Sequence, residues 1–495
     1  MLSFYNHLRV RFRRGFSFLS LGPNEARILY DFFIGYAMLF VAVLFNRIYG
    51  GIIPDWRLWL MPLFFLSINR LMGVYTSLKT ASIIKKTSSL SLSLIFTCIL
   101  GLLFQIHTSV VFLWGILTIG PVILARLFLG LPYSKSQNIL LKTVRQRGPI
   151  LVAGGAGYIG THVVDLLLKE GESVRILDRL MYGREPISTF AGNKNLELIE
   201  GDATDIVKLT TAMKGASAVV HLAGLVGDPS CAVDPNFTRH TNIIATRMVK
   251  DVAQSLGIYR FIFASSCSVY GVSEKEVCEG DELNPVSLYA QTKIDSEKEL
   301  LFSVQDDFFV TILRFATVFG HSYRPRFDLV ANFFTAQAMN DGIITVTGAN
   351  NWRPFIHVRD LSRAVMIALK SDPITIQSQI FNVGDKRLNM TILQVAEVVK
   401  SIVSKSKNVE ILVKDDVEDR RNYAVSFEKI QSILKFEAET LMNDGIIEMV
   451  NNFRNGTYKN YSDSMYSNVK MTKEALTSFY DPSNIVHLYA PLSIK

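Results

Sequence analysis

The chain has 495 residues, 49% of them hydrophobic and only 19% charged, with a formal net charge of +8. That length gives room for about three compact units, while the apolar excess excludes a disordered chain and is unusual for a wholly soluble enzyme. Sixteen Lys and Arg oppose three acids up to Gly148, so the basic excess flanks apolar runs and no nucleic-acid partner is expected.

In chain order, the start is basic but lacks the small-residue cleavage site that follows a signal sequence. Four apolar stretches follow, at residues 28–46, 58–75, 90–106 and 109–131. Each approaches the roughly 20 residues that cross a hydrocarbon layer, so residues 1–148 read as a four-helix transmembrane anchor in a lipid bilayer. Residues 1–27 carry five Arg and one Glu, the 76–89 loop carries Lys79, Lys85 and Lys86, and 132–148 carries two Lys and two Arg. Basic flanks stay cytoplasmic, which places both termini and the remaining chain on that side. Asp31 and Arg70 fall inside the spans near the cytoplasmic face, where snorkelling or mutual pairing satisfies them.

From Gly148 the sequence GPILVAGGAGYIGTHVVDLLLKEGESVRILD reads as strand, glycine-rich turn, amphipathic helix and second strand. Gly155, Gly157 and Gly160 satisfy G-x-G-x-x-G, and Gly154, Gly157 and Gly160 satisfy G-x-x-G-x-x-G, with Tyr158 and Ile159 at the junction of turn and helix. Glycines let a pyrophosphate approach the backbone, and the helix N-terminus favours its charge. Asp178 follows Gly160 by 18 residues, the spacing of an acid that accepts hydrogen bonds from an adenosine ribose. Its carboxylate favours NAD over NADP, although Arg179 partly offsets the repulsion of a 2′-phosphate.

Strands at 196–200, 218–222, 261–264 and 310–313 alternate with helical patterns at 205–214, 236–256 and 287–301. Such alternation predicts an α/β fold with a Rossmann-like doubly wound parallel sheet. Residues 149–455 form this domain, including a small C-terminal substrate-binding subdomain, and 456–495 reads as an irregular tail. Tyr289 and Lys293 share one helix face, so the ammonium lies beside both the phenol and a nicotinamide ribose. Nearby positive charge favours the phenolate of a group whose ordinary pKa is about 10. A strand-end serine completes a site for moving a proton while a hydride is transferred. Cys98, Cys231, Cys267 and Cys278 show neither disulfide nor metal-ligand spacing, so no metal is expected.

These motifs, in this order, resemble the extended short-chain dehydrogenase/reductase family, the NAD-dependent epimerase/dehydratases of nucleotide sugars. The resemblance implies that Tyr289 is the acid/base, Lys293 holds the nicotinamide ribose, and Ser266 is the hydroxyl partner. It places Asp202 and Ala203 near adenine, and Leu222, Ala223, Gly224 and Thr241 beside the cofactor. Arg353, in the segment Asn350–Asp360, and Arg421, in Asp419–Tyr423, are the implied diphosphate contacts, and Asn332 is a further substrate candidate. The family's 4,6-dehydratases place an Asp-Glu pair where this chain has Cys267 and Ser268, which disfavours dehydration. Its 3,5-epimerases place a cysteine at the position of Ser268, so Cys267 reads as a packing residue. The first 148 residues are similar to the anchors of bacterial polysaccharide-biosynthesis proteins. The combined expectation is a nucleotide-sugar C4 epimerase at the bacterial inner membrane, as a homodimer or with polysaccharide-assembly partners. A 4-ketoreductase or dehydrogenase with the same residues is the alternative, and a non-catalytic NAD- or sugar-nucleotide-binding scaffold a third reading.

Overall fold

A computed structural model describes residues 23–48, 59–71, 97, 111, 113, 114, 116–118, 148–303, 308–414, 421–458 and 460–479. The chain divides into two units, Met1–Val144 and Arg145–Lys495.

In the first unit, α1 (Pro23–Ile48) contains the predicted span 28–46. The second predicted span, 58–75, contains α2 (Met61–Leu71), whose 11 residues cover about 16 Å, roughly half of a hydrocarbon layer. The spans predicted at 90–106 and 109–131 lie mostly outside the described residues. Among the described residues no helix is long and apolar enough to cross a membrane, so the four-helix transmembrane region is not reproduced. Leu39, Ala42, Met61, Phe65, Val111 and Trp114 form a small core. Trp114 ties it together, since its indole N–H donates to the carbonyl of Gly35 at 2.9 Å. Asp31 is buried in this unit; the side chain of Arg70 lies outside the described residues.

The second unit is built on β1 (Ile150–Ala153), α3 (Gly160–Lys169), β2 (Val174–Asp178), β3 (Leu196–Glu200), α4 (Ile206–Met213) and β4 (Ala218–His221). It continues through α5 (Ala245–Ser255), β5 (Arg260–Ser266), α6 (Leu288–Phe302) and β6 (Phe309–Phe315). With β10 (Gln379–Val383) these strands make a seven-stranded sheet in the order β10-β6-β5-β4-β1-β2-β3, parallel at every pairing. Leu151 and Val152 of β1 point to opposite faces and are both fully buried, as strands covered by helices on both sides require. The strand order reverses between β1 and β4, the place where a doubly wound sheet opens a crevice at its carboxyl edge. The expected parallel sheet is therefore present.

Between β6 and β10 run β7 (Thr317–Phe319), α7 (Val330–Asn340), β8 (Ile343–Thr347), β9 (Trp352–His357) and α8 (Val358–Lys370). After β10 come β11 (Asn389–Thr391), α9 (Ile392–Val403), β12 (Glu410–Lys414) and α10 (Met442–Arg454). The strands pair as a three-stranded β11-β9-β7 sheet and a two-stranded β12-β8 sheet, and α7, α9 and α10 share a second core around Phe319, Phe355 and Val395. This is the smaller subdomain.

Two segments differ from expectation. The helix expected at 236–256 is interrupted by a π-helical turn, His240–Ile244, between a short helix at Pro235–Arg239 and α5. The region after 455, expected to be irregular, forms α11 (Asn468–Phe479), and Tyr458 and Tyr466 pack with Phe327 in an aromatic cluster. Tyrosines spaced without helical or strand period gave no local sign of this, because their partner Phe327 is more than 130 residues away.

Candidate active site

The glycine-rich turn follows β1 directly, and its glycines answer to different constraints. Gly154 has φ +87°, and a Cβ there would sit 2.6 Å from the amide nitrogen of Ala223. At Gly160 a Cβ would lie 2.1 Å from the carbonyl oxygen of Gly154, so only glycine lets α3 start this close to the strand. Gly155 packs on Ile176 of β2. Gly157 differs, because a Cβ would meet nothing nearer than 3.5 Å. What it leaves open is space for a ligand. No side chain caps α3; the N–H groups of Thr161, His162 and Val163 donate to the carbonyls of Gly157 and Ile159, so an anion would be met by the N–H groups that precede them at the junction of turn and helix.

Asp178 ends β2 and holds this turn in place. One carboxylate oxygen accepts from the N–H of Ala156 at 2.9 Å and the other from the N–H of Leu180 at 2.8 Å. Burial pushes its pKa up, opposed by those two hydrogen bonds. Each oxygen keeps a second lone pair for a ribose hydroxyl. Asp202 accepts from Thr204 and pairs with Arg179 at 3.3 Å. Asn242, in the π-helical turn, both accepts from and donates to the backbone of Leu225 and donates to Thr292 of α6, which fixes Gly224 against the catalytic helix.

Gly154, Gly157, Tyr158, Ile159, Gly160, Asp178, Asp202, Ala203, Leu222, Ala223, Gly224, Thr241, Tyr289 and Lys293 line one cleft. Its donors, open glycine and acid at the ribose spacing fit a dinucleotide. Helix α6 enters it capped by Ser287, whose oxygen accepts from the N–H of Ala290 while its hydroxyl donates to Asp228. Lys293 and Glu297, four residues apart on that helix, both reach the end of β5. Lys293 donates to the carbonyl of Ala264 at 2.8 Å, and Glu297 accepts from Ser265 and pairs with Arg314 at 2.7 Å inside the fold. Helix and strand are thereby locked in register.

The Lys293 ammonium lies 5.8 Å from the centre of the Tyr289 ring. Burial lowers its pKa to about 8, which leaves it mostly charged at neutral pH. Burial pushes the phenol of Tyr289 well above its ordinary value, against a hydrogen bond from Ser266 that favours the phenolate. Cys267 is buried with its thiol directed to the carbonyl of Arg314 at 3.3 Å, and burial raises its pKa, so it stays a thiol.

Arg353 and Arg421 are brought together on the subdomain side: the guanidinium of Arg353 donates to the carbonyl of Arg421, and Arg421 pairs with Asp228 at 3.2 Å. Asn332 is fully buried outside the residues that line the cleft, accepting from the N–H of Gly320 and donating to Tyr158 and to the carbonyl of Arg326. Sequence reasoning missed Tyr182, Arg324, Arg326 and Asn468, which also line the cleft. The two arginines follow β7 in a Pro-containing turn and offered a weak signal, whereas Asn468 offered none. No group of His, Cys, Asp or Glu able to hold a metal occurs among the described residues.

Residues 150–384 match the NAD dependent epimerase/dehydratase family. That match covers just under half of the chain. The chain is 29% identical over 274 residues to a UDP-glucose 4-epimerase of Lactobacillus helveticus, a match covering 51% of this chain and 82% of that protein. It is 29% identical to UDP-glucuronic acid decarboxylase 1 of Arabidopsis thaliana over 63% of this chain and 71% of the relative. Among solved structures, a UDP-glucuronic acid 4-epimerase from Bacillus cereus in complex with UDP-glucuronic acid and NAD superposes with a TM-score of 0.55 at 25% identity. That match covers 63% of this chain and all of the other. The chain is an enzyme, and its cofactor is NAD.

Proposed function

We propose that this chain is an NAD-retaining nucleotide-sugar 4-epimerase serving bacterial surface-polysaccharide synthesis, held at the cytoplasmic membrane by its first unit. The observation that carries the reaction is the pair Tyr289 and Lys293 in the cleft, with Ser266 at the end of β5 hydrogen-bonded to the Tyr289 phenol and followed by Cys267 and Ser268, which supply no carboxylate for a separate elimination. Bound NAD supplies the hydride acceptor and later donor. Tyr289 takes the proton from the C4 hydroxyl as hydride departs and returns it through the same phenol oxygen once the ketone has turned over. Ser266 holds the sugar oxygen, and the charge on Lys293 offsets the burial that opposes the phenolate. Arg353 and Arg421 hold the diphosphate, so the nucleotide end stays fixed while the sugar rotates.

The tether is supported by the basic flanks and by α1, which carries large apolar residues on both its buried and its exposed side: Leu39 and Ala42 face the small core while Phe33 and Phe40 remain about 60% exposed.

The test is to incubate detergent-purified protein with UDP-, GDP- and dTDP-sugars without added cofactor, then release and identify the bound nucleotide. Interconversion of C4 epimers with NAD retained is the expected result. Turnover only with added NAD(P)H overturns it in favour of a ketoreductase, and carbon dioxide release from UDP-glucuronic acid overturns it in favour of decarboxylation. Flotation with phospholipid vesicles checks the tether, and failure to float sinks it.

A further inference from the structure

Arg324 is 3% exposed and lies beyond the sheet in the turn after β7. One terminal nitrogen donates to the side-chain oxygen of Asn468 in α11 at 2.7 Å, while its Nε and its other terminal nitrogen have no partner. Its guanidinium stacks on the ring of Tyr182 at 3.7 Å from the centre, a contact that uses the face of the group and leaves its N–H edge free. The neighbouring acid is already engaged: Asp328 pairs with Arg326 at 2.8 Å and accepts from the N–H of Asn468 at 3.2 Å. A buried guanidinium with unmet donors is costly unless an anion completes it. Arg324 lines the same cleft as Gly157, Tyr158 and Asp178. Its Asn468 partner is itself fixed, donating through its amide to the carbonyl of Val226 at 3.2 Å.

We infer that Arg324 is a second anion-binding group of the dinucleotide cleft, held by Asn468 so that its free N–H edge meets the pyrophosphate of NAD. The glycine-rich turn offers backbone donors and a helix terminus but no cation, and Arg324 supplies the formal positive charge that two phosphates call for. The assignment is to the cofactor and not to the sugar nucleotide, because neither Arg353 nor Arg421 lines this cleft: Arg353 donates to the carbonyl of Arg421, whose side chain pairs with Asp228. Burial lowers the pKa of Arg324 only to about 10, so it remains charged at neutral pH. Residues beyond the family match, which ends at 384, thus take part in holding the cofactor.

The inference rests on the NAD site, and the experiment separates the two. The full chain is purified as wild type, Arg324→Gln and Asn468→Ala, each checked for fold by circular dichroism. Bound NAD is quantified after denaturation, and affinities for NAD and for UDP are measured separately by calorimetry. The expected result is at least a tenfold loss of NAD affinity for Arg324→Gln and a loss of about threefold or more for Asn468→Ala, with UDP affinity within twofold of wild type. Full NAD affinity in both variants overturns the inference while leaving the NAD site intact. Loss of UDP binding with NAD retained also overturns it, since the anion is then the substrate's diphosphate. Wild-type protein that binds no NAD sinks the site and the inference together. If Arg324→Gln does not fold, Asn468→Ala decides alone.

Discussion

At Tyr289, burial and charge pull in opposite directions. Desolvation keeps the proton on the phenol, while the Ser266 hydrogen bond and the charge of Arg326 favour its loss. Replacing Tyr289 with Phe removes the oxygen that carries the proton and leaves the ring in place, so turnover is expected to fall by about 10²–10⁴-fold. Bound NAD should stay at the wild-type level, because the cradle is built from other residues; a steady-state assay paired with nucleotide release checks both. Turnover that survives the substitution removes Tyr289 from the reaction. Tyr289, Lys293 and Asp178 were legible in the sequence because their chemistry depends on local spacing: four residues along a helix, or one strand after a glycine turn. Arg324 and Asn468 were not, because their meaning comes from meeting each other across 144 positions.

The glycine-rich turn shows how one element divides its duties between folding and binding. Gly160→Ala drives a Cβ into the backbone of Gly154, so both the melting temperature and NAD affinity should drop. Gly157→Ala meets no such obstacle, and the melting temperature of the cofactor-free protein should hold within a few degrees while NAD affinity falls at least tenfold. Equal effects of the two substitutions in thermal melts and NAD titrations would contradict this division. The strands around this turn were legible as continuous apolar runs, since both faces of each are covered. The π-helical turn at His240–Ile244 was not, because its extra residue is set by Asn242 reaching Leu225 and Thr292 and leaves no mark on the periodicity.

For the second unit as a whole, acid should act first through buried histidines. His221 is fully buried against Thr246, and burial lowers its pKa to about 3, while that of His162 is lowered to about 4, also mainly by burial. Both stay neutral in the fold and take up protons in the unfolded chain below about pH 6.5, so the unfolded state binds more protons and stability falls as pH falls. His221 alone contributes a slope of up to about 1.4 kcal/mol per pH unit. Denaturant melts between pH 6.5 and 5, above the carboxylate range, should show this decline, and His221→Asn should make it shallower; an unchanged slope would falsify the assignment.

The place of Asn468 in the chain sets an order of events during synthesis. The parallel sheet is complete once β10 has been made at Val383, and N-terminal parts of a chain generally fold first as it emerges. The residue that braces Arg324 at the cleft arrives 85 positions later. A ribosome-bound chain can therefore own a finished sheet and still lack one wall of its nucleotide crevice, so closure around the dinucleotide follows completion of the sheet.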